Sequence, residues 1–219
     1  MRAGDWNEPG MMPCGTAPAG RGLGSGTACG GRTATLRRML IPRSFKHCKA
    51  CGGAVQYAVP ADDNRERATC TVCGAVHYEN PINVVGTVPI WGDQVLLCRR
   101  NIEPRYGLWT LPAGFMELGE SAPQGAARET DEEAGAHFEM EGLFSVLSVV
   151  RVGQVHLYFR ARLLDTVFAP GPETIEARLF GEAEIPWDEL AFRTVRETLK
   201  YFFADRRAGR FEVHCADIA

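Results

Sequence analysis

Residues Gly114 to Ala136 read GFMELGESAPQGAARETDEEAGA, and the punctuation of this stretch decides how the chain folds. Ser121-Ala-Pro-Gln124 has the form of a capping box, with Ser121 to accept from first-turn amides and Gln124 to reach back. Pro123 is tolerated because an N–H in that turn has no intrahelical partner. Gly135 supplies a stop in the left-handed conformation. The spacing predicts a helix between those ends. At about 100° per residue, Glu129, Glu132 and Glu133 fall within an arc of roughly 100°, and Asp131 points to the other side.

Three carboxylates on one face repel. Each like-charged pair at i,i+3 or i,i+4 costs about 0.2–0.5 kcal/mol when exposed and more when partly buried, so a cation is expected there. Hard divalent ions take oxygen ligands from one or two carboxylates and from substrate phosphates, which makes Mg²⁺ the natural occupant and Mn²⁺ a substitute. Taken alone, the glutamates also fit a solvated acidic face.

Strands flank this helix on both sides. Asn80-Pro81 interrupts the chain before the β-branched run Ile82 to Ile90, which with Gln94 to Arg99 predicts a hairpin turned at Trp91-Gly92-Asp93. After the helix, Leu143 to Val152 and Val155 to Leu164 read as strands, with Val155, Leu157 and Phe159 alternating against His156, Tyr158 and Arg160. Ala177 to Phe180 adds a strand and Ile185 to Leu190 a short helical turn. Thr194 to Arg206 reads as a closing helix with Val195, Leu199, Phe202 and Phe203 on its apolar face. The expected class is α/β with a mixed sheet.

Upstream, Cys48, Cys51, Cys70 and Cys73 form two Cys-x-x-Cys knuckles with 18 residues between them, the spacing of a four-thiolate structural zinc site. Four thiolates leave no open coordination position, so such a site stabilises a module too small to bury much core. A redox or vestigial pair is the alternative. The pattern predicts a zinc ribbon over residues 45–79, a second domain over 80–208 and a tail over 209–219. Cys14, Cys29, Cys98 and Cys215 show no pairing and receive no function.

The chain has 219 residues, 45% hydrophobic and 23% charged, enough for one sizeable core with a small appendage. A net charge of -3 offers no general attraction to nucleic acid or anionic membrane. Near the ribbon, Arg43, Lys46, His47 and Lys49 are balanced by Asp62, Asp63 and Glu66, so no phosphate-tracking stripe emerges. No apolar run approaches the roughly 20 residues that span a bilayer. Paired cysteines of metal-binding spacing fit a reducing compartment, and the expected location is cytoplasmic. Residues 1–38 are rich in Gly, Ala and Arg, with Asp5 and Glu8 their acids. They are read as disordered within an N-terminal extension over 1–44: an upstream addition before a start at Met39, a low-complexity tail, or a transit peptide to an organelle.

The pattern Gly114, five residues, Glu120, seven residues, Arg128-Glu129-x-x-Glu132-Glu133-x-Gly135 resembles the signature of the Nudix hydrolases. That resemblance implies an α/β/α sandwich with a mixed sheet. It implies that Glu129 and Glu133 ligate Mg²⁺ or Mn²⁺, that Glu132 assists and that Gly114 contributes its carbonyl. Arg128 would pair with the carboxylates of this stretch and Glu120 would fix the loop against the helix. Thr130 and Ala136 stand where the family usually has bulky aliphatics. A further acidic ligand or base is expected from Glu176, with Glu173 second. The implied reaction is hydrolysis of a nucleoside diphosphate derivative, water attacking phosphorus to give two monophosphates.

With the ribbon upstream, the chain resembles bacterial zinc-ribbon Nudix hydrolases and plant enzymes that split FAD or ADP-ribose. Tyr106-Gly-Leu-Trp-Thr-Leu-Pro-Ala-Gly114 and Pro170-Gly-Pro-Glu173 add to the likeness. NADH pyrophosphatases and NAD-decapping relatives carry a Ser-Gln-Pro-Trp-Pro-Phe-Pro element after the signature, where this chain reads Ser145-Val-Leu-Ser-Val-Val-Arg-Val-Gly-Gln-Val155. FAD or ADP-ribose is therefore the expected substrate and NAD(H) the runner-up. Tyr106, Trp109 and Phe115 are candidates to stack a substrate ring, with core packing the competing role for Trp109. A nucleotide-sensing or nucleic-acid-binding protein on the same fold is the non-catalytic alternative. The resemblance also allows for a homodimer.

Overall fold

The structure is a computed structural model that describes residues 45–218. The expectations placed on residues 1–44 lie outside the described residues. Within them, β1 (Val55–Ala58), β2 (Arg67–Cys70) and β3 (Val76–His77) form a small antiparallel sheet in the order β1-β2-β3. This is the ribbon.

The larger sheet is built from β4 (Ile82–Trp91), β5 (Gln94–Arg100), β8 (Phe138–Val149), β9 (Gln154–Leu163), β10 (Thr174–Phe180) and β11 (His214–Asp217) in the order β10-β5-β4-β9-β8-β11. Two short strands, β6 (Trp109–Thr110) and β7 (Ala113–Phe115), pair with β5 and β4. The sheet is mixed: β4 runs parallel to β9 and β11 parallel to β8, while β8 is antiparallel to β9. β4 and β5 form the expected hairpin, with Ile90 opposite Val95 and Trp91 opposite Gln94 across Gly92-Asp93.

Helices cover opposite faces, and strand alternation shows why the central strands carry apolar residues on both sides. Val88 of β4 and Val95 and Leu97 of β5 join Val195, Leu199, Phe202 and Phe203 of α2 (Arg193–Ala208) in one core. Their strand neighbours face α1 (Ala122–Ala134): Val85 packs with Ala126, and Leu96 and Cys98 with Ala134. Strands buried on both sides lose the polar alternation of a half-exposed sheet.

α1 begins and ends where its caps place it. The Ser121 amide donates to Gln124 Oε1 at 2.8 Å, the return half of the capping box. Gly135 closes the helix at φ 55°, its amide donating to Asp131 O at 2.7 Å. A side chain there would strain the backbone and strike the Ala169 carbonyl.

Thr130, one of the two residues unlike the family aliphatics, is fully buried. Its hydroxyl donates to Ala126 O and lies 2.7 Å from Thr87 Oγ1, so Thr87 must be the donor in that pair. Thr130→Val is expected to leave the Thr87 hydroxyl without a buried partner and to cost about 1–3 kcal/mol. Denaturant unfolding should show the loss, and Thr87→Val on top of it should recover part.

Three expectations shift. The strand predicted over Leu143–Val152 starts at Phe138 and stops at Val149, because Val150–Val152 turn in a 3₁₀ helix toward β9. The short helical turn within Ile185–Leu190 is the 3₁₀ segment Trp187–Glu189. Residues 209–219, expected to be a tail, contain β11, which bonds along β8 from Ser145 to Ser148. It is anchored on α2, where His214 stacks on Tyr201 at 4.3 Å and pairs with Asp205 at 2.8 Å, and Phe211 stacks on Phe202.

Candidate active site

The loop from β7 and the acidic face of α1 meet because Gly114 has no side chain. A Cβ on Gly114 would fall 2.3 Å from the Glu129 carboxylate, so the carboxylate rests directly on that backbone. β7 holds Gly114 in register opposite Val85 of β4. One residue earlier, the Ala113 amide donates to Glu133 Oε2 at 3.0 Å. Loop and helix thus present Glu129, Glu133 and the Gly114 backbone at one place.

Arg128 knits the rest. Its Nε and Nη2 bond both oxygens of Glu120, at 3.1 and 2.9 Å. Nη1 reaches Glu129 at 2.8 Å and Glu132 at 3.0 Å, and Nη2 also donates to the Phe115 carbonyl. Glu120 in turn accepts from the Glu117 amide at 2.7 Å, which ties the loop to the helix start. These are the contacts anticipated for Arg128 and Glu120, and they hold the Glu120 carboxyl below its usual range.

Burial separates the glutamates. Glu132 is exposed, whereas Glu133 retains 7% of its accessible surface. Desolvation pushes the Glu133 carboxyl up to about 8, opposed by the Ala113 N–H and reinforced by Glu129. Glu129 is also raised, by burial first, with Arg128 opposing. Carboxyls held out of water among their own kind are what a divalent cation would stabilise as anions. The donor set, carboxylate oxygens and a backbone carbonyl over a cradle that a Cβ would fill, fits Mg²⁺ or Mn²⁺.

Arg128, Glu129, Glu132, Glu133 and the Ala113–Phe115 backbone line a cavity of about 860 Å³, which also carries Glu173, Arg100, His156, Tyr158 and Phe192. Of the two late acids, Glu173 is on the cavity wall and Glu176 is not; Glu176 sits within β10 opposite Arg99 of β5. The aromatic candidates divide likewise. Phe115 lines the cavity, while Trp109 is buried in the α2-side core edge-on to Phe180 at 4.8 Å, and the exposed Tyr106 lies off the wall. Phe192 and the almost fully buried Tyr158 line the cavity instead, positions that sequence reading did not single out. Strand alternation held a signal for Arg100: it follows Leu96 and Cys98 on the face turned toward α1, where a charged residue needs a reason.

In the ribbon, the four cysteine sulfurs lie within 4.8 Å of one another, close enough to share one four-coordinate zinc ion. Among the described residues no other set of His, Cys, Asp or Glu gathers so closely. Amides of Cys73 and Val72 push the Cys70 thiol down to about 6, toward the thiolate that binds metal. His77 Nε2 lies 3.2 Å from Cys48 Sγ, an outer contact that the knuckle spacing does not reveal.

Comparison with known proteins agrees with this geometry. The Nudix N-terminal zinc-ribbon profile matches residues 46–79 and the NUDIX domain profile residues 81–204. The chain belongs to the Nudix family of hydrolases and carries that family's zinc ribbon. The domain is of a divalent-metal-dependent kind. A solved NUDIX hydrolase from Nitrosomonas europaea is 48% identical at a TM-score of 0.76, covering 80% of this chain and 99% of that one. The NAD-capped RNA hydrolase NudC of Photobacterium profundum is 37% identical over 159 residues, 71% of this chain and 56% of the relative. A human 8-oxo-dGDP phosphatase is 48% identical over 100 residues, 43% of this chain and 30% of that protein. The chain thus spans a little over half the length of the bacterial NAD-capped RNA hydrolase.

Proposed function

We propose that the protein hydrolyses the pyrophosphate bond of a nucleoside diphosphate derivative, FAD or ADP-ribose first, releasing two monophosphates. The observation that carries this is the Glu129 carboxylate seated on Gly114 beside Glu133 in one cavity. A bound Mg²⁺ or Mn²⁺ would be held by Glu129, Glu133 and the Gly114 carbonyl, and supplies Lewis acidity toward phosphoryl oxygens and water. Glu132 steadies Arg128 from the solvent side, and Arg128 with Glu120 fixes where the carboxylates stand. In this reading Glu173, which lines the cavity where Glu176 does not, takes the proton from the attacking water. Phe115 and Phe192 offer apolar surface to a substrate ring.

The preference for FAD or ADP-ribose rests on the run Ser145–Val155, which replaces the element of NADH-cleaving relatives. A second reading, NAD(H) or the NAD cap of an RNA, is favoured by the name of the Photobacterium relative and would bring nucleic acid in as substrate. Purified protein with Mg²⁺ or Mn²⁺ should be offered FAD, ADP-ribose, NADH, NAD-capped RNA and nucleoside di- and triphosphates, with products separated by chromatography. FMN plus AMP, or ribose 5-phosphate plus AMP, is the expected outcome. Preferential decapping or NADH cleavage would replace it with the second reading, and no turnover of any would refute both.

The raised Glu133 carboxyl also predicts a pH dependence. Between its ordinary value near 4.5 and about 8, the folded chain keeps a proton that the unfolded chain has released. Stability of the metal-free protein should therefore fall as pH rises through that window. His137, raised by Asp165, and His156, lowered to about 4 by burial, titrate in overlapping ranges. The comparison is thus wild type against Glu133→Gln in EDTA. The variant's melting temperature should decline less from pH 5 to 8, and Mg²⁺ should stabilise wild type more at pH 8 than at pH 6.

A further inference from the structure

Arg100 ends β5 with 8% of its surface exposed, yet it makes no direct ion pair among the described residues; its charge opposes the rise of the Glu133 carboxyl only through space. Its Nε donates to the Pro104 carbonyl at 3.0 Å, and the guanidinium lies 5.1 Å from the Phe192 ring centroid. The contrast with Arg128 is sharp, since that side chain pairs with three glutamates. A buried cation without a direct ion pair is costly, and proteins keep one only where something else meets it. Arg100 lines the same cavity as Glu129, Glu133, Glu173 and Phe115. With Nε engaged by a carbonyl and one face on Phe192, the terminal nitrogens are the donors left for a ligand, in the forked geometry that matches phosphate oxygens.

We propose that Arg100 grips a phosphate oxygen of the substrate that the Glu129–Glu133 face does not hold, as a positioning and specificity residue for phosphate-linked ligands. The proposal rests on the diphosphate-hydrolase reading. It accounts for a cation in a cavity that carries six glutamates besides Arg128: Glu103, Glu117, Glu129, Glu132, Glu133 and Glu173 repel a polyanion unless something opposes them. Phe192 holds the guanidinium plane from one side, and Pro104 fixes its Nε edge, so the fork is set before the ligand arrives.

The test uses Arg100→Met and Arg100→Lys in the full chain with Mg²⁺. KM for the best wild-type substrate is compared with kcat, and affinity for the product AMP is read by titration calorimetry. The Met variant should raise KM by at least about tenfold, equivalent to about 1.4 kcal/mol, with kcat falling by less and AMP weakened to match. Lys, a point charge without the fork, should fall between. Because no direct ion pair is broken, the Met variant should melt near wild type, whereas a residue serving only the fold would lower melting temperature and leave KM alone. KM and AMP affinity of the Met variant within twofold of wild type would overturn the proposal. If that variant does not fold, an unchanged KM in the Lys variant does so. A wild-type protein that cleaves none of the diphosphates fails the functional reading instead, and the AMP titration then judges Arg100 by itself: tight binding lost in the Met variant upholds it, equal binding refutes it.

Discussion

Glu133→Gln should reduce diphosphate hydrolysis by at least about 10³-fold, close to 4 kcal/mol of barrier, while leaving the chain folded. The amide keeps the shape that meets the Ala113 N–H, so packing between loop and helix survives. What it removes is the negative charge that burial makes unfavourable and that a divalent ion would neutralise. Melting temperature in EDTA should therefore hold or rise as activity disappears, and the stabilisation by Mg²⁺ should shrink. Glu129→Gln should act in the same direction, with some loss of order because Arg128 gives up a partner at 2.8 Å. Wild-type turnover in either variant would remove these residues from the metal site.

The second large effect belongs to the ribbon. Replacing Cys48 and Cys70 by Ser should drop zinc from about one ion per chain to near none, since two ligands cannot hold a site built for four. The ribbon has little else to stabilise it: Ala68 is its buried apolar residue beside the two buried cysteines. Metal affinity in such modules is folding free energy, so residues 45–79 should become protease-sensitive. Hydrolysis should change far less, because the cavity is lined wholly from Val84 onward. Metal analysis with limited proteolysis decides this, and full zinc content in the double variant would refute the ribbon.

What was legible in the sequence was local. The caps and three glutamates of α1 repeat at helical spacing, and the cysteine knuckles at ribbon spacing, so nothing distant was needed to place them. The β4–β5 hairpin was visible for the same reason. What escaped depends on contacts far along the chain. Trp109 lies between Gly107 and Gly114 in sequence, which invites a binding role, but it forms β6 and Phe180, about seventy residues later, draws it into the core. Glu173 and Glu176 are equally acidic in sequence. An irregularity in pairing between Thr174 and Glu176 separates them, leaving Glu173 at the cavity and Glu176 within the sheet. β11 is four residues long and pairs with a strand some seventy residues earlier, and its anchors on α2 exist only once that helix has packed. Arg100 is the clearest instance: the strand's alternation marked its face, but the absence of a direct ion pair appears only in three dimensions.

The central claim is that Glu129 and Glu133 together hold a divalent cation against the Gly114 backbone. Mn²⁺ titration followed by electron paramagnetic resonance measures this directly, because bound ions leave the free-ion signal. Wild type should deplete that signal at micromolar Mn²⁺, and Glu129→Gln/Glu133→Gln should not. Equal depletion by both proteins would contradict the account.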